Sequence, residues 1–171
     1  MTLIVEDGTG RADAESYVSV ADAVAYASAR GLTFQAAPAE AAEAALRRAT
    51  AWIDATYAPR FSGARLKRRA QALAWPRAGA EDADCNAIAS NEIPAEMITA
   101  TSEAAVRELA KPGNLSPDLK RGGAIKRVKA VSVEVEYAAG ATAGTVFSTI
   151  DGILSGLLGA QSAYTARAVR G

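Results

Sequence analysis

Apolar positions recur every three to four residues through AEAAEAALRRATAWIDATY, where Ala42, Ala45, Leu46, Ala49, Trp52, Ile53 and Thr56 fall on one face. Glu40, Glu43, Arg47 and Asp54 lie mostly off that face, so the segment predicts an amphipathic helix opened by Pro38 in its first turn and closed by Pro59. A shorter helix is predicted over about residues 20 to 30, with Ser19 as its N-cap, Asp22 completing a capping box and Gly31 as its stop. Pro94 starts a third, through AEMITATSEAAVRELA, which turns Met97, Ile98, Thr101, Ala105 and Leu109 inward and ends at Lys111-Pro112-Gly113. Phe147, Ile150, Leu154, Leu157 and Leu158 keep helical spacing in FSTIDGILSGLL, although Gly152 and Gly156 weaken that helix.

One segment has the other period. Val131 to Tyr137, VSVEVEY, alternates apolar and polar residues as a strand with one wet face does. The opening LIVEDGTG is a short strand-like run, and RAGAEDADCNAIASNEIP has turn residues without a sustained period, which predicts a long surface loop. The closing GAQSAYTARAVRG has no period of either kind. The expected fold class is therefore mainly α: a small helical bundle of three to four helices with a minor β element and an extended C-terminal tail. The expected organisation is one domain, 1–158, with a long loop at 60–92 and a strand at 131–137, followed by a tail, 159–171, that orders on binding.

Composition narrows the chemistry. Half of the 171 residues are hydrophobic, but alanine supplies much of that half and only ten residues are aromatic, so the core is thin and suited to support from partner subunits. The chain has one cysteine, Cys85, and no histidine, which removes disulfides, histidine-ligated metals and the Ser-His-Asp and Cys-His nucleophile systems. No enzyme, metal or cofactor is expected. The N-terminus lacks the basic and apolar regions of a secretory signal, and no run of about 18 apolar residues suggests a membrane span.

The net charge is zero, yet the charges are sorted along the chain. Residues 60–77 hold six basic residues and no acid, whereas 78–119 hold two basic against eight acidic residues. Alternation of this kind would orient copies of a subunit against one another. The glycines of EDGTG and KRGGA lack phosphate-loop spacing and predict turns. Glu81, Asp82 and Asp84, like Glu134 and Glu136 on one strand face, are better explained as solvated carboxylates than as metal ligands. Arg60, Phe61, Arg65, Lys67, Arg68, Arg69 and Trp75 mix cations with aromatic rings, as single-strand binding requires. Trp75, between Ala72-Leu73-Ala74 and Pro76, also has the setting of a core anchor. The stretch thus admits three readings: a nucleic-acid grip, a solvated basic loop, and a docking edge.

LIVEDGTG, SYVSVADAVAYASARG, ALRRATAWIDATY, QALAWPR, EIPAEMITATSEAAVRELA and VEVEYA with a terminal VRG, in that order, resemble a family of tailed-bacteriophage proteins often catalogued as DnaT-like single-stranded DNA-binding proteins. The resemblance covers nearly the whole chain, and those proteins look like head-tail connector or adaptor subunits. It implies a virion structural protein made in the host cytoplasm: a homo-oligomeric ring, expected to be a dodecamer, at the head-tail interface. Its partners would be copies of itself, the portal protein and the next neck or tail-completion protein, with double-stranded genomic DNA passing through without specific binding. On that reading Ala163, Tyr164, Thr165, Arg167, Val169 and Arg170 of the tail contact the portal. Arg60, Arg65, Lys67, Arg68 and Arg69 form a basic patch at an interface or the DNA lumen, and Trp75 and Pro76 anchor the loop. The alternative is a single-stranded DNA-binding protein linked to phage replication, gripping through Arg60 to Trp75.

Overall fold

The computed structural model describes residues 2–116 and 147–158, together with the backbone of two short strands at 127–130 and 133–136. Its core is helical. Helices α1 (Val20–Ala29), α2 (Ala39–Tyr57), α3 (Ala95–Ala110) and α4 (Ser148–Leu154) occur in chain order. Helix α3 is the hub, with α1, α2 and α4 all packed against it. Alanine makes this closeness possible: Ala42, Ala45 and Ala49 of α2 and Ala100, Ala104 and Ala105 of α3 are fully buried. Small side chains on facing helices let the backbones approach, and Leu46, Ile53, Met97, Ile150 and Leu154 fill the space that remains. Each of these larger side chains contributes roughly 1.5–3 kcal/mol by leaving water.

Local signals set the helix ends. The Ser19 hydroxyl accepts the Asp22 amide at 3.1 Å, which makes Ser19 the expected N-cap, and it donates to the Asp22 carboxylate at 2.6 Å, so the return bond of the expected capping box goes to the hydroxyl in place of the Ser19 amide. Pro38 and Pro94 occupy the N-cap positions of α2 and α3 in extended backbone. The buried stripe of α2 runs Ala42, Ala45, Leu46, Ala49, Thr50, Ile53, Tyr57. Relative to the expected face the stripe is rotated so that Thr50 and Tyr57 join it, while Trp52 at its edge is only half-buried and Thr56, in the last turn, is exposed. Ile98, expected inside, is 39% exposed, and Leu109 is half-buried.

The expected long loop is more structured than its punctuation suggested. Two antiparallel ladders lie within it: β1 (Ala64–Arg65) with β2 (Arg77–Ala78), and β3 (Ala80–Glu81) with β4 (Ala87–Ile88). Short 3-10 turns cover Ala58–Arg60 and Arg68–Ala70. The Ala83 amide donates to the Gly156 carbonyl at 2.8 Å, and Phe61 bridges to Leu158, so this region is tied to the end of the α4 segment. Such two-residue ladders are too short to show a period.

Strand β6 (Val133–Glu136) lies within the stretch expected to be a strand, and it pairs antiparallel with β5 (Arg127–Ala130), where none was expected. In register, Arg127 lies opposite Glu136 and Lys129 opposite Glu134. The architecture is mainly α with a minor β element, as expected; the C-terminal tail lies outside the described residues.

Candidate nucleic-acid interface

The basic run lies on a turn that is held from inside. Gln71 is buried, and its side-chain amide donates to the carbonyls of Leu73 at 2.9 Å and Pro76 at 3.0 Å. Its Oε1 accepts the Lys67 amide at 3.2 Å. The Leu66 amide also donates to the Pro76 carbonyl, and the Ala72 amide to the Arg11 carbonyl, so residues 66–76 are stapled at several points. Gly10 makes room for the staple. A Cβ there would sit 2.8 Å from Gln71 Oε1, and its φ of +73° is one that glycine adopts readily.

Lys67, Arg68 and Arg69 are exposed on this turn, while Arg60 and Arg65 are half-buried. Arg68 has a φ of +52°, a left-handed backbone that disfavours a side chain. The Arg60 guanidinium lies 5.9 Å from the Tyr57 ring centre, which draws it toward α2 rather than into the exposed row. Arg77, the last basic residue of the run, is structural. Its buried guanidinium donates to the carbonyls of Phe61, Ser62, Gly63 and Ala74, and burial, with the nearby Arg65, lowers its pKa.

Trp75 does not offer a stacking surface. It is 1% exposed and packs edge-on against Phe61 at 5.6 Å between ring centres. Its backbone amide donates to the Tyr17 hydroxyl at 3.1 Å, and that hydroxyl donates to Asp54 at 2.8 Å. The other oxygen of Asp54 accepts the Ala74 amide at 2.7 Å. Burial raises the Asp54 pKa, while the Tyr17 and Ala74 hydrogen bonds oppose that shift. Asp54 was expected on the wet side of α2; the packing of the 71–76 segment over it encloses it instead. Pro76 follows through a cis peptide bond and is also buried.

The two glycine-rich and acidic features have local roles. Glu6 is buried, and its carboxylate accepts the amides of Gly8, Gly10 and Arg11 at 2.9–3.1 Å, so the EDGTG amides already surround an anion. Asp82 accepts the amides of Asp84 and Asn86 and the Asn86 side chain, which shapes the acidic loop as a turn.

A second feature had no signal in the basic run. Beside α2 a groove of about 340 Å³ is lined by Arg48, Ala51, Trp52, Ala55, Glu108, Leu115 and neighbouring backbone. Trp52 is set by edge-on contacts to Tyr57 at 5.8 Å and Phe147 at 5.2 Å. Arg48 is fixed by a 2.6 Å bond from Nε to the buried carboxylate of Glu108. That carboxylate also accepts the amides of Gly113 and Leu115, which folds the chain back after α3. Sequence periodicity placed Trp52 in the core, which concealed this groove.

The expected portal contacts, Ala163, Tyr164, Thr165, Arg167, Val169 and Arg170, lie outside the described residues. Across residues 1–171 the chain matches the model of a family described as "Putative DnaT-like ssDNA binding protein". No curated protein and no solved structure matches it. The match corrects the expectation of a virion ring adaptor with portal and tail-completion proteins as partners and double-stranded DNA passing unbound. The matching family is described by single-stranded DNA binding, which agrees with the alternative reading. The chain belongs to the DnaT-like ssDNA binding protein family.

Proposed function

We propose that the protein binds single-stranded DNA through the turn that carries Lys67, Arg68 and Arg69, with Arg65 at its edge, and that it does so without catalysing a reaction. One observation carries the reading beyond family membership. Three consecutive cations project from a turn whose backbone is held by a buried glutamine, in a stretch, 60–77, that contains no acid. Cations carried on a held turn meet a phosphate backbone with less loss of loop freedom than cations on a floppy one. Absence of histidine and the single cysteine support a binding role over catalysis. With three to four cations in the turn, binding of modest strength is expected, its salt dependence set by the number of phosphates they meet.

The test is fluorescence anisotropy of a labelled oligothymidylate across a salt series, with the wild type and a Lys67→Ser/Arg68→Ser/Arg69→Ser variant. Each phosphate contact on a single strand contributes about 0.7 to the slope of log affinity against log salt, so the variant is expected to lose about two units of slope. Equal affinity and equal slope in the two proteins would overturn the reading.

A further inference from the structure

We propose that the groove beside α2 receives one unstacked base of the bound strand, with Trp52 as its aromatic wall and Arg48 at its rim. This rests on the single-stranded DNA reading and adds a second contact to it, on residues outside the basic turn.

The groove suits a base better than a phosphate. Its floor is made by the methyl groups of Ala51 and Ala55, both exposed, beside the half-buried indole of Trp52. Its volume of about 340 Å³ is at the small end of ligand pockets, enough for a base and part of its sugar. Arg48 is the cation at the groove, and the Glu108 carboxylate bonded to its Nε offsets its charge, which weakens it as a phosphate clamp. A guanidinium fixed in that way still presents a plane and donors to a base. The edge-on contacts from Tyr57 and Phe147 hold the indole in place before any ligand arrives, so little ordering accompanies stacking. A base inside a duplex has both faces covered by its neighbours and does not enter such a groove without being flipped out. The geometry therefore favours single strands independently of the cation row.

Ala51 and Ala55 give a clean test because both lie on the exposed side of α2, where leucine is a good helix former and no core contact is removed. The full-length wild type and an Ala55→Leu variant are titrated with oligothymidylate and with an abasic strand of the same length, following anisotropy and tryptophan fluorescence. Sedimentation of the free proteins accompanies the titration. For the wild type, at least about fivefold tighter binding of the thymidylate strand is expected, as a base-aromatic stack provides, with quenching from Trp52. Ala55→Leu is expected to bind both strands alike, without that quenching. Thymidylate binding that matches abasic binding in the wild type overturns the groove and leaves the basic turn as the site. Ala55→Leu that changes self-association but not oligonucleotide affinity overturns it as well, by making the groove a protein contact. No oligonucleotide binding by either protein overturns both readings together.

Discussion

The Tyr17 hydroxyl lies 2.8 Å from Asp54 of α2 and at the same time accepts the Trp75 amide, so one oxygen joins the N-terminal segment, the long helix and the loop that follows the basic turn. Tyr17→Phe keeps the ring and removes that oxygen. A buried amide and a largely enclosed carboxylate would each lose a partner, and the expected loss is about 1–3 kcal/mol in urea unfolding. A cost under about 0.5 kcal/mol would show that water replaces the hydroxyl.

Glu108 gives a pH-dependent prediction. Burial alone would raise its pKa, but the Gly113 amide, the Arg48 guanidinium and the Leu115 amide together hold it below the ordinary glutamate value. A carboxylate with a depressed folded pKa stabilises the fold above its unfolded value, near 4.3, and that contribution is lost as pH falls through the folded value. Glu108→Gln is therefore expected to be destabilised by about 1–3 kcal/mol at neutral pH, with the gap to the wild type narrowing toward about pH 3. Urea midpoints at the two pH values measure this. A gap that stays constant would assign the effect to shape and not charge.

Arg68 is predicted to trade stability for binding. Its left-handed backbone costs a side chain roughly 1 kcal/mol, a strain that glycine relieves. Arg68→Gly is expected to raise stability by up to about 1 kcal/mol while lowering the salt slope of oligonucleotide binding by about 0.7. Melting curves and the anisotropy series on the same protein check both signs.

Gly10→Ala should have the opposite character. Its new methyl group meets Gln71 Oε1 at 2.8 Å in a backbone region that alanine avoids. The expected loss is about 1–3 kcal/mol, together with weaker oligonucleotide binding, because the displaced glutamine is what holds the turn at Lys67. Unchanged binding in a destabilised variant would separate the staple from the interface.

The helices were legible because a 3.6-residue period over ten or more residues leaves many matching positions. Ser19 and Asp22, Pro38 and Pro94 fixed their starts through local chemistry that needs no partner. The 60–92 region was not legible: its ladders are two residues long, and the β1–β2 ladder is tied by carbonyls of residues 61–63 that Arg77 gathers from fourteen to sixteen positions away, while Gln71 closes the turn between them. A buried glutamine in QALAWPR looks like any surface glutamine until Pro76 and Leu73 fold around it. Asp54 was misplaced for a related reason, since helix periodicity describes what α3 covers and not what a loop covers. Trp52 shows the converse, a large apolar side chain whose helical position suggested the core while its actual place at the stripe's edge leaves an open groove.

The staple under the basic turn is made of neutral groups throughout: the Gln71 side chain and main-chain amides and carbonyls. Ions screen charges and leave amide hydrogen bonds almost untouched. Added salt therefore weakens what the cations do without reshaping the platform that presents them, and the turn acts as a fixed ruler whose spacing is the same in dilute and concentrated buffer.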